Sequence, residues 1–349
     1  MIRMFEKMIR QKPPWLITPP SRKNIAISSR IRLARNMSDI PFPGRCSDEQ
    51  CKEVIARVSK AADKTALLRN AEVLELNSLS QIDKQFLVER HLVSPEFIQQ
   101  NSPSAVIISD DETCSIMINE EDHIRMQILR SELNLEEAWE MINQFDSELE
   151  KSLPYAFSSK YGYLTACPTN VGTGLRASAM LHLPALVHEH KIGSVMSAVG
   201  KIGIAVRGLY GESSDSKGNM FQISNQITLG QNEESIVNQL HQIVLRIIKH
   251  ENKLRETLIV NKPHQIKNDV GRAYGTLKYA EILTSEEATN LLSSLLIGAD
   301  LQVFDEVDRT TVNELLIDIQ PAHLQKMKGQ ELTAEERDIY RAKIIRNRL

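Results

Sequence analysis

The residues of this 349-residue sequence with the clearest chemical potential are arginines that stand in short, distinctive runs. Two of them are separated by one residue within 28–32, so an extended segment would present both guanidinium groups on one face. Guanidinium forks match phosphate oxygens, and a cage of several predicts a triphosphate site. For each arginine taken alone, the alternative is a surface ion pair. The candidate cage consists of Arg30, Arg32, Arg125, Arg176 and Arg207.

Two glycine-containing segments offer other phosphate sites, and both signals are weak. Gly200-Lys201 is followed by Ile202, where a Walker A loop requires Ser or Thr. Residues 172–177 (G-T-G-L-R-A) match the G-x-G-x-x-A pattern of dinucleotide folds, which needs a helix after the glycines and a βαβ repeat around it. The sequence predicts such a helix but no repeat, so a dinucleotide fold is a minor alternative.

Composition limits the class of protein. Hydrophobic residues make up 42% and charged residues 25%, as in globular proteins, and 349 residues suggest about two domains. The net charge of −3 argues against a strongly basic nucleic-acid-binding protein. Four cysteines do not make a disulfide framework, and no apolar run reaches the roughly 18 residues of a membrane span. The charged N-terminus does not match a signal peptide, so we expect a cytoplasmic location.

The elements that must position these residues mix strands, hairpins and helices. Pro13, Pro14, Pro19 and Pro20 predict an extended lead-in over residues 1–20. Period-two and helical patterns predict the other elements. Strands are expected over residues 24–34, 105–108, 114–118, 162–166, 203–207 and 220–223. Helices are expected over residues 47–68, 81–92, 122–133, 135–149, 174–190, 232–260, 271–283, 285–296, 312–319 and 334–345. This order favours an α+β fold, with an antiparallel sheet flanked by helices and followed by an all-helical C-terminal domain.

Together, the runs resemble one family, the ATP:guanido phosphotransferases, which include arginine and creatine kinases. The most specific match is C-P-T-N-V-G-T at residues 167–173, which is similar to the family signature C-P-[ST]-N-x-G-T. N-E-E-D-H-I-R at 119–125 and S-S-R-I-R at 28–32 resemble the family's N-E-E-D-H-x-R and S-[ST]-R-x-R segments. R-G-L-Y-G-E at 207–212 and I-S-N at 223–225 resemble its R-G-x-x-G-E loop and the I-S-N that follows. The resemblance implies the phosphagen kinase catalytic core, with a glutamine-synthetase-like sheet.

The resemblance also implies a set of catalytic residues. A guanidinium stays protonated and is a poor nucleophile, so phosphoryl transfer to it needs a carboxylate that orients it and accepts a proton. Glu121 would be that base, with Glu120 helping to arrange Mg²⁺ and its waters. Cys167, with Asn170 in the same loop, would contact the guanidinium without forming a covalent intermediate. We expect Asp122 to cap the helix predicted over 122–133.

Substrate and nucleotide contacts follow from the same motifs. Glu212 and Asp215 would close over the guanidinium together with Glu121 and Cys167. Mg²⁺ would be held mainly through ATP and not by direct protein ligands. The ATP-binding residues implied are Ser28, Ser29, Arg30, Ile31, Arg32, His91, Arg125, Arg176, Ala177, Ser178, Ala179, Met180, Arg207, Gly208, Leu209, Tyr210, Gly211 and Glu212.

Departures from the free-guanidino kinases indicate the bacterial protein-arginine kinase branch of the family. Only 27 residues precede Ser28, where those kinases carry a helical domain of roughly a hundred residues, and Tyr210 replaces an arginine of the family's loop. R-D-I-Y-R-A at 337–342 is similar to the branch's R-D-x-x-R-A phosphoarginine pocket. Its members here are Arg337, Asp338, Arg341 and Ala342. The resemblance divides the chain into a lead-in (1–20), a catalytic domain (21–255) and a helical domain (256–349) for phosphoarginine binding and dimerisation.

The branch implies a protein-arginine kinase that uses ATP to phosphorylate exposed arginine side chains of other proteins and marks stress-damaged proteins for a Clp-type protease. It also implies a small zinc-binding activator and a homodimer, and neither nucleic acid nor membrane as partner. One alternative is a free-guanidino kinase, which would produce ADP rapidly with arginine itself. Another is a phosphoarginine-binding adaptor or regulator, in which Arg341→Ala would abolish function and Glu121→Ala would not.

Overall fold

An eight-stranded antiparallel sheet organises the described part of the chain, which in this computed structural model comprises residues 2–17, 25–208, 217–303 and 307–349. The strands are β1 (Ala26–Arg35), β2 (Val73–Glu75), β3 (Ala105–Ile108), β4 (Cys114–Ile118), β5 (Ile124–Ser131), β6 (Phe157–Ser158), β7 (Gly162–Tyr163), β8 (Leu175–His182), β9 (Ile204–Gly208) and β10 (Met220–Asn225). The sheet order is β2-β3-β4-β5-β1-β8-β10-β9, and β6 pairs with β7 in a separate hairpin. The long strand β1 therefore lies between β5 and β8.

Helices flank this sheet and continue beyond it. The described residues form α1 (Ile2–Arg10), α2 (Asp48–Ala62), α3 (Gln81–Glu89), α4 (Leu135–Glu150), α5 (Pro184–His188), α6 (Ile192–Gly200), α7 (Glu233–Asn261), α8 (Pro263–Tyr279), α9 (Ser285–Asp300), α10 (Arg309–Asp318), α11 (Pro321–Lys328) and α12 (Ala334–Arg348). Helices α4 and α7 pack against the central strands. The predicted α+β fold with a helical C-terminal part is confirmed.

Alternation along β1 separates a core face from a polar face. Ile31 and Leu33 are fully buried and belong to the same hydrophobic cluster as Ile142 and Phe145 of α4. The intervening Arg30 and Arg32 are partly exposed, because successive side chains of a strand point to opposite faces. The sheet thus presents arginines on the face opposite its main core.

Two predicted helices are strands. Residues 122–133 contain β5, and residues 174–190 contain β8 followed by the short helix α5. Both strands are buried on most positions, so their apolar residues do not alternate with polar ones. The many Ala, Leu and Met residues of 175–186 also have high helix propensity, which tertiary packing overrides here. Arg176 therefore lies in a strand and not at the start of a helix.

The predicted extended lead-in is wrong over its first half, where Ile2–Arg10 form a helix. Phe5 and Met8 are buried on one side of α1, and the Phe5 ring lies 5.9 Å from the ring of Phe86 on α3. This contact gives the short helix a partner that its own sequence does not reveal. Residues 18–20 of the lead-in lie outside the described residues.

Helix α7 and contacts made by Glu89 help to join the helical C-terminal part to the sheet. Helix α7 runs through the predicted domain boundary at residues 255–256 without a break. Glu89, at the end of α3, accepts hydrogen bonds from the backbone N–H of Ala322 (2.8 Å) and of His323 (3.0 Å) in the first turn of α11. A carboxylate at a helix N-terminus satisfies these otherwise free donors. These joints hold α10 and α11 beside the polar face of the sheet.

Candidate active site

A cavity of about 800 Å³ on the polar face of the sheet collects the predicted cage. Its lining contains Arg30, Arg32, Arg125, Arg176 and Arg207, together with Glu120 and Glu121. The arginines come from four different strands, since β1 contributes two of them and β5, β8 and β9 one each. Residues far apart in the sequence therefore meet because their strands are neighbours in the sheet.

The electrostatics of this cavity favour an anion. Burial, followed by the charges of Arg125 and Arg176, lowers the pKa of Arg30 to about 10. Burial and the surrounding guanidinium groups also hold the pKa values of Arg32 and Arg176 below the ordinary arginine value. Packing like charges together in a partly buried place is unfavourable without an opposite charge. Phosphate oxygens would supply that charge.

Two polar side chains of one strand orient the arginines: Gln222, which sequence reasoning missed, and Ser224 of the I-S-N segment. Nη2 of Arg30 donates to Oε1 of Gln222 (2.7 Å), and Nη2 of Arg176 donates to Oγ of Ser224 (3.1 Å). Both partners lie on β10, beside β8. Because they are two residues apart in a strand, both side chains point to the same face of the sheet.

Glu120 and Glu121, two of the three glutamates that line the cavity, have different surroundings. Glu120 accepts hydrogen bonds from the Ser94 hydroxyl and from Arg125, so its carboxylate is already paired. Burial, and next the charge of Asp122, raises the pKa of Glu121 above that of an ordinary glutamate. An interaction with the Cys167 side chain opposes part of this rise in the pKa. Glu121 is therefore the carboxylate better suited to accepting a proton.

Asp122 does not cap a helix, because β5 follows it. Its Oδ1 accepts hydrogen bonds from Nδ2 of Asn36 (2.6 Å) and from the backbone N–H of Ala166 (2.7 Å). Asn36, which sequence reasoning missed, also binds the backbone N–H of His123 through Oδ1 (2.8 Å). Asp122 thus ties the segment that carries Glu121 to the loop that carries Cys167.

The loop after β7 holds Cys167 in a fixed turn. The backbone N–H of Asn170 donates to the Cys167 carbonyl (3.0 Å), and the Asn170 carbonyl accepts from the N–H of Gly174 (3.0 Å). The Cys167 sulfur lies 2.9 Å from Oγ1 of Thr169. Gly174 has a φ of +64° and leads directly into β8. A strand after the glycines excludes the dinucleotide-fold alternative, which needs a helix there.

A smaller, mostly apolar cavity of about 100 Å³ adjoins the arginine-lined one. Trp15 and Leu129 line it from the sheet side, and Leu316 and Ile317 line it from α10. His91 borders both cavities, and its ring centroid lies 5.0 Å from that of Trp15. Burial and the charge of Arg30 lower the pKa of His91 to about 3, so the imidazole is neutral at physiological pH.

The remaining residues predicted to bind the nucleotide lie on both faces of the sheet, and only some of them face the cavities. Ser28, Ser178 and Met180 border one or both cavities, and Gly208 lines the larger one. Four side chains point to the opposite face of their strands: Ser29, Ile31, Ala177 and Ala179. Ser29 instead donates through Oγ to the Glu132 carbonyl (2.8 Å). The predictions for Leu209, Tyr210, Gly211, Glu212 and Asp215 lie outside the described residues.

The residues of the R-D-x-x-R-A segment lie together on α12. Arg341 is buried, and it donates to the carbonyls of Ile319 (Nε, 2.9 Å) and Leu283 (Nη1, 2.8 Å) and to Asp338. Arg337 and Asp338 are partly exposed, whereas Ala342 is buried. Arg341 therefore fastens α12 to its neighbours, and the accessible charged groups of the segment are Arg337 and Asp338.

The described residues contain no group of three or more His, Cys, Asp or Glu side chains placed to hold a metal ion. Within the same residues, no helix has both the length and the apolar character needed to cross a bilayer.

Two family models match the chain. Residues 53–254 match the ATP:guanido phosphotransferase C-terminal catalytic domain, and residues 263–349 match the protein-arginine kinase McsB C-terminal domain. The protein-arginine kinase of Moorella thermoacetica is 45% identical over 344 residues, which are 98% of each chain. That of Pelotomaculum thermopropionicum is 46% identical over 95% of this chain and 94% of its own. The chain belongs to the protein-arginine kinases of the ATP:guanido phosphotransferase family. The predicted phosphotransferase class is thereby confirmed.

Solved structures of phosphagen kinases resemble this protein-arginine kinase family member in fold. The duplicated taurocyamine kinase of Schistosoma mansoni superposes with a TM-score of 0.61 at 25% identity, over 70% of this chain and 35% of that one. Lombricine kinase superposes with a TM-score of 0.60 at 22% identity, over 70% and 71% of the two chains. The phosphagen kinase core that the motifs implied is thus confirmed.

Proposed function

We propose that the protein transfers the γ-phosphoryl group of ATP to a guanidino nitrogen of arginine side chains in other proteins. The observation that carries this proposal is one cavity lined by five arginines and by Glu121, a glutamate of raised pKa whose carboxylate interacts with the Cys167 side chain. The arginines suit the polyphosphate donor, and the carboxylate and thiol suit a cationic acceptor.

The nucleotide phosphates would lie against the arginine cage. Phosphoryl transfer asks little covalent chemistry of a protein, so positioning and charge stabilisation supply most of the acceleration. Gln222 and Ser224 support this by holding two of the guanidinium groups before the nucleotide arrives. The adenosine would enter the adjoining apolar cavity, where neutral His91 and Trp15 offer ring faces.

The acceptor guanidinium would lie between Glu121 and Cys167. As a nitrogen–phosphorus bond forms and the bond from Pγ to the bridging oxygen of ADP breaks, the attacking nitrogen releases a proton to the Glu121 carboxylate. Cys167 would stay a non-covalent contact, because a thiol or thiolate beside the cation stabilises its position. Asp122 and Asn36 act as positioning residues that keep the two groups at one place.

The residues present fit Mg²⁺ carried by ATP better than a protein-bound ion. Three carboxylates line the cavity together with the arginines, namely those of Glu96, Glu120 and Glu121. Mg²⁺ usually keeps several waters and binds through one or two carboxylates plus phosphates. Glu120 would hold such waters, and the ion would reduce the negative charge on the phosphate oxygens.

Replacement of the proposed base tests the function. We expect Glu121→Gln to lower kcat by at least about a hundredfold, because the substrate guanidinium loses the carboxylate that accepts its proton. The KM for ATP should change little, because the arginine cage is unchanged. Phosphoarginine formed on an unfolded protein is measured by mass spectrometry. The matched control is Glu140→Gln on the exposed side of α4, which should leave kcat unchanged. Full activity of Glu121→Gln would overturn the proposal.

Adding free arginine to the same assay distinguishes a protein-arginine kinase from a free-guanidino kinase. A free-guanidino kinase would form phosphoarginine from the amino acid and none on the protein. A phosphoarginine-binding adaptor would give no phosphorylation in either reaction.

We also propose further substrate contacts, an oligomeric state, partners and a cellular location. We expect Glu212 and Asp215 to approach the acceptor from the loop after β9, and Arg337 and Asp338 to bind phosphoarginine on α12. Homodimerisation, a small zinc-binding activator and delivery of marked proteins to a Clp-type protease follow the family resemblance. A cytoplasmic location agrees with the supply of ATP there.

A further inference from the structure

Exposed apolar side chains flank the loop that carries Cys167. Five of them are between 46% and 61% exposed and form what we call the apolar rim: Phe157, Tyr161, Ile202, Ile227 and Leu229. Single exposed apolar residues are common on protein surfaces, but a group beside a reactive site marks an interaction surface.

One flank of the loop is the hairpin of β6 and β7. The backbone N–H of Tyr163 donates to the Gly172 carbonyl (2.8 Å), and the N–H of Gly172 donates to the Tyr163 carbonyl (3.2 Å). The Tyr163 ring lies over the guanidinium of Arg35 (3.5 Å) and 5.3 Å from the ring of Phe157. The exposed ring of Phe157 thus stands on a hairpin that is fixed to the Cys167 loop.

The other flank is the segment after β10. Oγ1 of Thr228 donates to the carbonyls of Thr169 (2.9 Å) and Val171 (2.7 Å), which are part of the Cys167 loop. Ile227 lies against Gly203, where an added Cβ would come within 2.8 Å of Cδ1 of Ile227. Residues 226–232 (Q-I-T-L-G-Q-N) carry no charge. This flank therefore offers apolar contact without attracting or repelling a charged group.

The length of an arginine side chain decides what must lie on these flanks. From Cα to its terminal nitrogens an arginine side chain reaches roughly 7 Å. When the guanidinium of a protein substrate is at Glu121 and Cys167, the substrate backbone is held at this distance from them. The residues before and after the target arginine then extend along the rim. Free arginine has no such neighbours and would leave the rim uncovered.

We propose that the apolar rim binds apolar side chains next to the target arginine in an extended segment of a polypeptide substrate. The rim thereby favours arginines whose neighbours in the sequence are apolar. This inference rests on the proposed function and adds to it a preference for apolar residues beside the target arginine. Folded proteins bury such side chains, whereas unfolded chains present them beside their arginines.

Two synthetic peptides of equal length and charge test the inference. Each carries one arginine, flanked by Leu and Phe in one peptide and by Ser and Asn in the other. We expect wild type to have the lower KM for the apolar peptide, with similar kcat. The double variant Phe157→Ser, Leu229→Ser should raise that KM about fivefold or more, because contacts with two apolar side chains are lost. Its KM for the polar peptide and for ATP should not change.

A matched control removes exposed apolar side chains far from the loop. Val260→Ser, Tyr279→Ser replaces two residues of the helical part that are 76% and 79% exposed, and it should leave both peptides unaffected. Equal KM values of wild type for the two peptides would overturn the inference, as would an equal rise for both in the rim variant. A change of oligomeric mass in the rim variant would assign the surface to contact between copies instead. If wild type phosphorylates neither peptide nor any protein, the proposed function itself fails.

Discussion

At the scale of single residues, Glu121 and Asp122 have opposite tasks although they are neighbours. Glu121 faces the cavity and needs a pKa high enough to take a proton. Asp122 faces away, accepts two hydrogen bonds and contributes a negative charge that raises the pKa of Glu121. In the proposed reaction, Glu121 thus serves as the base and Asp122 as the residue that supports it.

The pH dependence of the reaction follows from this division. The base works when deprotonated, so kcat/KM should fall as the pH drops through the raised pKa of Glu121, above the value of an ordinary glutamate. Asp122→Asn keeps an oxygen for the bonds from Asn36 and Ala166 but removes the charge. We therefore expect the acidic limb of the kcat/KM profile to move to lower pH in this variant.

Glu140→Gln serves as the control and should leave that limb in place. An acidic limb of Asp122→Asn that moves to higher pH would contradict the assignment of Glu121 as the base.

The sequence predicted the five arginines, Glu120 and Glu121, but not Asn36 and Ser94, which support the acidic residues. The arginines stand in recognisable runs, whereas Asn36 and Ser94 contact carboxylates that lie 86 and 26 residues away in the chain. Polar residues of common type at such separations leave no local pattern. Only the folded chain brings them together.

At the scale of elements, β8 shows why local pattern misleads. It lies between β1 and β10 and is buried on both faces over most of its length, so its Ala, Leu and Met residues match a helix as well as a strand. The hairpin of β3 and β4 was easier to predict, because a turn-forming acidic run separates two short apolar runs. The conformation of β8 depends on the neighbouring strands, whereas the turn of the hairpin can be predicted from its own residues.

Gly174, which directs the chain from the Cys167 loop into β8, should be intolerant of a side chain. Its φ of +64° disfavours other residues, and a Cβ there would lie 2.6 Å from the Ala34 carbonyl oxygen and 2.7 Å from Nη1 of Arg35. We expect Gly174→Ala to lower the free energy of unfolding by about 2 kcal/mol. Denaturant unfolding followed by circular dichroism measures the change.

Gly275→Ala is the comparison, since this glycine lies within α8 with no atom near an added Cβ. It should leave stability unchanged or raise it by up to about 1 kcal/mol, because alanine favours helix. Equal stability of Gly174→Ala and wild type would show that the turn relaxes freely.

At the scale of the whole molecule, buried histidines lie where the sheet and the helical part meet. His182 of β8 lies 2.8 Å from Oγ of Ser293 on α9 through Nε2, and His323 of α11 lies 2.8 Å from Glu89 through Nδ1. Burial lowers the pKa of both, as it does for His91. Each is therefore neutral in the folded protein at a pH where it would be charged in the unfolded chain.

Acid should destabilise the fold through these residues. A histidine with a lowered folded-state pKa contributes stability above its unfolded pKa of about 6.5, and this stability is lost as the pH falls below that value. The free energy of unfolding should decrease between pH 7 and pH 5, by up to about 1.4 kcal/mol per pH unit for each such histidine. Urea unfolding at a series of pH values measures this slope.

His182→Gln should make the slope shallower, since one buried titrating group is lost. His264→Gln, at an exposed position of α8, should not alter it. A slope that is the same in all three proteins would place the acid sensitivity elsewhere.

The apolar cavity beside the arginines has walls from both ends of the chain, with Trp15 on one side and Leu316, Ile317 and Gln320 on another. A ribosome releases the arginine-bearing strands long before α10 emerges. With adenosine bound as we propose, a chain still in synthesis would carry the whole cage without the wall that closes around the base. On this proposal, the wall around the base would be completed only after the strands that carry the arginines have left the ribosome.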